Sequence, residues 1–382
     1  MSHTMNTRAV ASVLEAFAVG DAMGMPTEFM TRREIMEEFG DISSLIPAGR
    51  SAHHSDLPTG SVTDDTEQTL YLLRRYCQDG AVTVDGTMTA LLAWIRETDA
   101  VAKRYIGPSS LKALQSIEAG APVESAGTTG TTCGGIMRTL APVLCCPAAW
   151  NAPSSSAVPD DSSVSACSPT AVAFAGSVSP TGSVVETVSG KPLDAAETEL
   201  LRCIRDCLLP THNTSLALEA AGAYGFAVAA ALRGVPMDGI LAAALRSAEA
   251  SRTLAPYISC GASSASRIRF LASYVPTVAS ASDLLDFLFD VLGTGLESAD
   301  VCSAVFGLFL YAKGDVWLAI RLASRIGGDT DTIAALVGAL CAAYAGGHNI
   351  PAEIVDTVRT VNHLDVSAVA TRIVEVFTGH EA

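Results

Sequence analysis

Two clusters of carboxylate and hydroxyl side chains stand directly in front of apolar, helix-like segments of this 382-residue sequence. Residues 63–66 read TDDT, and residues 327–332 read GGDTDT. Asp and Thr are good helix N-caps, and each cap stabilises its helix by about 1 kcal/mol. One residue suffices for a cap, whereas each cluster holds two carboxylates, which repel one another unless protons or a cation neutralise them. The spacing leaves two interpretations open, double capping and a cation site.

The donor set decides which cation such a site would take. The two clusters offer oxygen atoms only, with no Cys or His beside them in the sequence. Oxygen ligands suit hard cations such as Mg²⁺ or Mn²⁺ rather than zinc. Two clusters acting together suggest a two-metal centre.

Three further polar motifs could contribute to a site. Residues 20–28 (GDAMGMPTE) place two acids in a turn that contains glycine, and residues 211–215 (THNTS) precede an apolar helix. Residues 127–138 form a loop rich in Gly and Thr that could present backbone N–H groups to a phosphate, although an ordinary turn fits the pattern as well. His53 and His54 lie in a polar segment and are expected to face solvent.

Helical periodicity must supply the elements that position these motifs. Val10, Val13, Leu14 and Phe17 repeat with the spacing of one helix face. Residues 70–77 show the same spacing. Further segments are rich in alanine and leucine, the strongest helix formers: 216–233, 241–251, 284–292, 301–312, 317–326 and 333–345. Alternating strand patterns are hard to find. The sequence predicts a single compact all-α multi-helix domain over residues 1–382.

One segment departs from this pattern. Residues 147–192 are rich in Ser, Pro, Ala, Val and Thr, a composition that seldom forms a packed core. We expect a low-complexity surface insertion within the domain, less ordered than the helical body.

The charge and the cysteine content indicate which partners the protein can bind and in which compartment it is found. The net charge of −16 disfavours a protein that grips nucleic acid through its phosphates. Ten cysteines without a CxxC pair indicate reduced thiols and favour the cytoplasm.

Residues 217–232 carry Glu219 and residues 301–312 are too short to span a bilayer, so no membrane segment is predicted. Glu15 interrupts the apolar run near the N-terminus, which indicates an amphipathic first helix rather than a signal peptide.

The ordered motifs resemble one family. GDAMGMPTE, TDDT, GGIMR with a following Ala-Pro (134–142), THNTS and GGDTDTIAALVGAL (327–340) together resemble the ADP-ribosylglycohydrolases, a group that includes the dinitrogenase reductase-activating glycohydrolase, the ADP-ribosyl-acceptor hydrolases and some lens crystallins. The resemblance spans almost the whole chain except the 147–192 insertion. It implies the all-α fold of this family, with two Mg²⁺ ions (Mn²⁺ in their place is also compatible) in a cleft.

The resemblance also assigns residues. The implied metal ligands are Thr63, Asp64, Asp65, Asp329, Asp331 and Thr332. Glu28 matches the family's acidic residue that reaches the reacting ribose, and the acid–base work falls to Glu28, Asp64, Asp65 or Asp329. The implied substrate contacts are Gly130, Thr131, Cys133 and His212. Many members carry Asn where this chain has Cys133, so an amide is replaced by a weak thiol donor.

The implied function is metal-dependent hydrolysis of a ribosyl glycosidic bond, most simply the removal of ADP-ribose from a modified protein or from a small ADP-ribosyl or ribosyl compound. Two alternatives stay open. A nucleosidase-like enzyme would share the ribose and the metal site, and a crystallin-like structural protein would need neither. The acceptor, the anomer and the oligomeric state are not set by the sequence.

Overall fold

The computed structural model describes residues 6–49, 54–103, 105–151 and 192–378. Over these residues the chain forms α-helices joined by turns, with isolated bridges but no β-strand. The helices are α1 (Thr7–Gly24), α2 (Arg32–Glu38), α3 (Asp64–Asp79), α4 (Val84–Thr98), α5 (Pro108–Glu118), α6 (Leu140–Leu144), α7 (Pro147–Asn151), α8 (Ala195–Leu208), α9 (Ser215–Leu232), α10 (Met237–Leu254), α11 (Ser264–Tyr274), α12 (Ala281–Phe287), α13 (Ser298–Ala312), α14 (Val316–Ala323), α15 (Thr330–Ala345), α16 (Ala352–Val361) and α17 (Val366–Thr378). The predicted all-α fold is confirmed.

The predicted insertion at 147–192 lies almost entirely outside the described residues. Its first residues form α7, which packs against α8 and α9, and Pro192 leads into α8. The expectation of lower order between these points stays a prediction.

Helices α1 and α15 pack together more extensively than any other pair in the described part of the chain. Glycine makes this possible. A Cβ built on Gly20 would lie 2.2 Å from the Ala334 carbonyl oxygen, and one on Gly24 would lie 2.3 Å from that of Thr330. On the other helix, a Cβ on Gly338 would lie 2.7 Å from the Ala16 carbonyl oxygen. The backbones therefore touch along three turns, and the C-terminal end of α1 is fixed beside the start of α15.

The remaining helices surround this pair. Helix α9 is buried along its whole length, from Ser215 to Leu232, and packs against α10, α13 and α15. Helices α3 and α17 cover α1, and α13 and α14 cover α15. Thr7–Thr27 and Ser215–Leu232 are long and apolar enough to cross a membrane, but 78% and 94% of their most apolar windows are buried inside the protein. Such burial is what core helices show.

Replacing Gly20 by Ala should destabilise the protein. In an ordinary helix this change stabilises by about 1 kcal/mol, but here the new methyl group would meet the Ala334 backbone, which cannot move aside. We expect a net loss of about 1–3 kcal/mol in the free energy of unfolding, measured by urea denaturation. Gly347→Ala is the control, because a Cβ there has nothing within 4 Å. Equal stability of the two variants would show that α1 and α15 are not held at backbone contact.

Candidate active site

Asp21 of α1 fixes the start of α3. Its buried carboxylate accepts hydrogen bonds from the backbone N–H of Thr63 (3.0 Å to Oδ1) and of Thr66 (3.1 Å to Oδ2). It also accepts from both hydroxyls, at 2.9 Å from Thr63 and 2.6 Å from Thr66. One helix thus supplies the N-terminal cap of another, and this orients Asp64 and Asp65.

Three carboxylates from three helices meet at this point. Asp21 (α1), Asp65 (α3) and Asp331 (α15) each place an oxygen within 4.8 Å of the others, and all three residues are buried. Thr332 donates its hydroxyl to Asp65 Oδ2 at 3.3 Å. Oδ1 of Asp65, Oδ1 of Asp331 and Oδ2 of Asp329 are buried without a hydrogen-bond partner. Buried polar atoms are normally paired, so oxygens left open in an acidic cluster fit a cation.

A pair of turns places Glu28 and Asp329 beside these acids. Phe29 N–H donates to the Gly328 carbonyl (2.8 Å), and Gly328 N–H donates back to the Met30 carbonyl (3.0 Å). Gly328 has φ +80°, and a Cβ there would lie 2.1 Å from the Thr294 carbonyl oxygen. Only glycine permits this close approach, which explains the second glycine of the GGDTDT motif.

His54 does not face solvent, contrary to the expectation from its polar surroundings, and His53 lies outside the described residues. It is 4% exposed, its Nε2 lies 3.0 Å from Oε2 of Glu28, and its ring meets Tyr105 edge to face with centroids 5.0 Å apart. Burial lowers the pKa of His54, so its ring is held toward the neutral form. The local pattern could not show this, because the partners of His54 come from residues 26 positions before it and 51 positions after it in the chain.

Burial raises the pKa of nearly every carboxyl group in the cluster. Burial and then the charge of Asp331 raise the pKa of Asp21 to about 7. The same two causes, in the same order, raise the pKa values of Glu28, Asp64, Asp65 and Asp329 well above their ordinary range. Such shifts mark a place where protons or a cation must offset crowded negative charge.

The predicted substrate loop lies next to the cluster, but only part of it reaches the cavity. Cys133 lines the cavity and donates its backbone N–H to the Leu296 carbonyl. Gly130, Thr131 and His212 are not among the residues that line it. His212 is fully buried beneath the loop, with Nε2 3.2 Å from the Thr132 hydroxyl, so the structure places it as a support and not at the predicted contact surface.

Arg138, which closes the GGIMR motif, ties this loop to α3. It is 1% exposed, donates to Oε1 of Gln68 at 3.3 Å and bonds the Thr211 hydroxyl. Arg138 lines the cavity and leaves its buried Nε without a partner. A buried positive charge therefore lies in the cavity lining near Asp64, whose Oδ2 accepts a hydrogen bond from the Gln68 amide at 3.0 Å.

The cavity between these parts has a volume of about 480 Å³, within the range of small-molecule sites. The lining includes the carboxylate and hydroxyl residues Glu28, Asp64, Asp65, Asp329, Asp331 and Thr332. It also includes Ser109, Ser110, Gly134 and Arg138. A larger cavity of about 810 Å³ lies between α8 and α10, but its Glu199 is simply ion-paired, with a pKa lowered by Arg202. We therefore take the smaller, acidic cavity as the candidate active site.

Most of the implied metal ligands meet at this cavity, together with residues that the sequence did not single out. The structure brings together five of the six implied metal ligands along the cavity, and Thr63 lies beneath them, with its hydroxyl bonded to Asp21. Asp21 was in a motif already singled out, but nothing in the sequence showed which of its acids faces α3. Gln68 and Tyr105 also line the cavity and had no sequence signal.

Comparisons with known proteins identify the family and the fold of this chain. A family model described as ADP-ribosylglycohydrolase matches residues 1–382. A solved structure described as an ADP-ribosylglycohydrolase-related protein complex superposes with a TM-score of 0.62 at 22% identity, covering 97% of this chain and 98% of that one, which shows a shared fold. The chain belongs to the ADP-ribosylglycohydrolase family.

Three relatives align with this chain over different fractions of its length. The uncharacterized protein YegU of Escherichia coli K12 is 27% identical over 99% of this chain and 100% of its own length. An uncharacterized protein of Archaeoglobus fulgidus is 35% identical over 126 residues, 33% of this chain and 39% of that protein. The ADP-ribosyl-[dinitrogen reductase] glycohydrolase of Rhodospirillum rubrum is 32% identical over 93 residues, 24% of this chain and 30% of that enzyme. The latter two alignments span less than two thirds of either relative.

The crowded acids predict how stability depends on pH. A carboxyl group whose folded-state pKa is raised stabilises the fold below its unfolded-state pKa, and this contribution is lost as pH rises through the folded-state value. For Asp21 these values are 3.8 and about 7. The melting temperature of chelator-treated protein should therefore fall between pH 5 and pH 8.

Divalent cations should reverse this trend. Saturating Mg²⁺ or Mn²⁺ should raise the melting temperature more at pH 8 than at pH 5, since protons compete for the same oxygens. Sodium chloride at matched ionic strength is the control for simple screening. A cation effect that is equal at both pH values would argue against binding at these carboxylates.

Proposed function

We propose that this ADP-ribosylglycohydrolase family member is a metal-dependent hydrolase that removes ADP-ribose from a modified acceptor by cleaving the ribosyl glycosidic bond. The observation that supports this most is the set of unpartnered, buried oxygens on Asp65, Asp329 and Asp331, which all line one ligand-sized cavity. A family match alone names a class of enzyme, whereas this arrangement offers a place for the reaction.

Two divalent cations, Mg²⁺ or Mn²⁺, are proposed to be held by Thr63, Asp64, Asp65, Asp329, Asp331 and Thr332. A cation bound there would orient the ribose hydroxyls and lower the pKa of a water molecule. Asp21 is proposed to position the ligands rather than to bind a cation itself. It already accepts four hydrogen bonds from Thr63 and Thr66, so it holds the start of α3 in place and adds negative charge behind the ligands.

The carboxylates also suit the charge that develops in the reaction. Glycosidic cleavage builds positive charge at the anomeric carbon, and nearby negative charge stabilises it. One of Glu28, Asp64, Asp65 and Asp329 is proposed to take a proton from water or deliver one to the leaving group. The pKa values of these groups are raised by burial and by the charge of Asp331, which favours proton uptake over that of an ordinary carboxyl group.

Arg138 and Gly134 are proposed to hold the rest of the substrate. Both residues line the same cavity as the acids. His212 and Thr211 support them from beneath, through Thr132 and Arg138. The positive charge of Arg138 would attract the anionic part of an ADP-ribosyl group, which the carboxylates repel.

The compartment and partner follow from the same proposal. The described cysteines are all free thiols, which supports a reducing, cytoplasmic location. The substrate partner is then an ADP-ribosylated protein or a small ADP-ribosyl compound in that compartment.

Asp331→Asn should separate a ligand from a helix cap. The change keeps size and removes one charge from the cluster, while Asn can still serve at a helix start. We expect Mg²⁺ affinity and turnover to fall together by at least about tenfold, with the fold retained. Binding is measured by calorimetry and turnover by release of ADP-ribose from an ADP-ribosylated arginine substrate.

Asp365→Asn is the matched control, because Asp365 is an exposed aspartate whose side chain caps α17 through the Ala368 N–H. It should leave Mg²⁺ affinity and turnover unchanged. If Asp331→Asn behaves in the same way as this control, Asp331 is not a cation ligand.

A substrate panel should identify the bond that is cleaved. ADP-ribosylated arginine, ADP-ribosylated serine and small ADP-ribose esters are compared with free nucleosides, in excess Mg²⁺. We expect at least one ADP-ribosyl compound to be cleaved and free nucleosides to be spared. Cleavage of nucleosides alone would favour the nucleosidase alternative, which the thiol of Cys133 in place of an amide keeps open. No cleavage together with no cation binding would favour a structural protein.

A further inference from the structure

The acidic cluster contains a nitrogen donor that its sequence motifs do not include. Glu28, His54 and Asp331 each offer one ligand atom, and these atoms lie within 4.8 Å of one another. All three residues are buried, at 8%, 4% and 3% exposure. Asp331 Oδ1 is buried in this group without a hydrogen-bond partner. The group is thus a mixed nitrogen and oxygen set, which shares Asp331 with the all-oxygen set of Asp21, Asp65 and Asp331.

The spacing suits an ion held between the three side chains. Ligand atoms at about 2.1 Å from a cation lie about 3 Å apart when adjacent and about 4.2 Å apart when opposite. The observed spread, within 4.8 Å, needs only small side-chain adjustments. The positions are also fixed from outside: the turn pairing of Phe29 with Gly328 holds Glu28, and Tyr105 packs edge-on against His54.

We propose that His54 is a nitrogen ligand of one of the two cation positions, beside Asp331 and Glu28 in the substrate-free protein, and that it makes this position select a transition-metal ion such as Mn²⁺ over Mg²⁺. Imidazole binds transition metals well, whereas Mg²⁺ prefers oxygen ligands and holds on to its water. This inference rests on the proposed function, since it concerns the same metal centre. It names the ion that the centre takes.

Pulsed electron paramagnetic resonance of the Mn²⁺-loaded protein tests the ligand directly. A coordinated imidazole gives a nitrogen coupling to Mn²⁺, and we expect this coupling in the wild type. His54→Gln and His54→Asn should both lose it, and their melting temperatures without metal show whether they fold. His348→Gln is the matched control, because His348 Nε2 also lies 3.0 Å from a glutamate, Glu15, at a remote place. It should keep the coupling.

Calorimetry tests the selectivity. In His54→Gln the affinity of the tighter Mn²⁺ site should fall by about tenfold or more, while Mg²⁺ affinity changes by less than about threefold. A wild-type protein that binds Mn²⁺ without nitrogen coupling would overturn the proposal, as would an unchanged Mn²⁺-to-Mg²⁺ preference in both variants. His54 would then only hydrogen-bond Glu28.

The outcomes that would overturn the role of His54 can be distinguished from a failure of the proposed function. If Mn²⁺ binds through oxygen alone and ADP-ribosyl compounds are still cleaved, only the role of His54 is wrong. If neither ion binds the wild type at all, both the role of His54 and the metal-dependent hydrolase are wrong.

Discussion

The backbone contact between α1 and α15 brings carboxylates together in a region that excludes water, and this costs free energy unless something offsets the charge. Asp21 leaves α1 at this crossing and Asp331 enters α15 there, with Asp65 joining them from α3. Gly20, with the Ala334 carbonyl 2.2 Å from where its Cβ would be, shows that the approach cannot be relaxed by side-chain movement. The close packing of α1 and α15 therefore places several negative charges near one another.

Three features of the described residues reduce the free-energy cost of crowding these carboxylates. The N-termini of α3 and α15 both point their partial positive charge at the cluster. Hydrogen bonds from the threonines at 63 and 66 satisfy Asp21, and raised pKa values allow protons to be retained. None of these gives a hydrogen-bond partner to the open oxygens of Asp65, Asp329 and Asp331, which is why a bound cation accounts for the site better than helix capping does.

The sequence predicted the helical fold and the two acidic clusters because both depend on local signals. Apolar spacing defines α1 and α15, and a run such as TDDT before a helix is visible without any tertiary contact. Other features depend on distant partners and could not be predicted in this way. His54 looked like a solvent-facing residue of a polar loop, yet it is buried against Glu28 and Tyr105. His212 lies beneath the loop, and not at the cavity surface, because Gly130, Gly134 and Gly135 let the loop pack directly on its ring.

The central claim is that the convergent oxygens of Asp65 and Asp331 hold a divalent cation. Anomalous diffraction from crystals grown with Mn²⁺ tests it most directly, because the ion is located by its own scattering. We expect a strong anomalous peak within about 2.3 Å of carboxylate oxygens of both residues, at full or near-full Mn²⁺ occupancy at neutral pH. Well-ordered crystals with saturating Mn²⁺ and no peak in this cavity would contradict it.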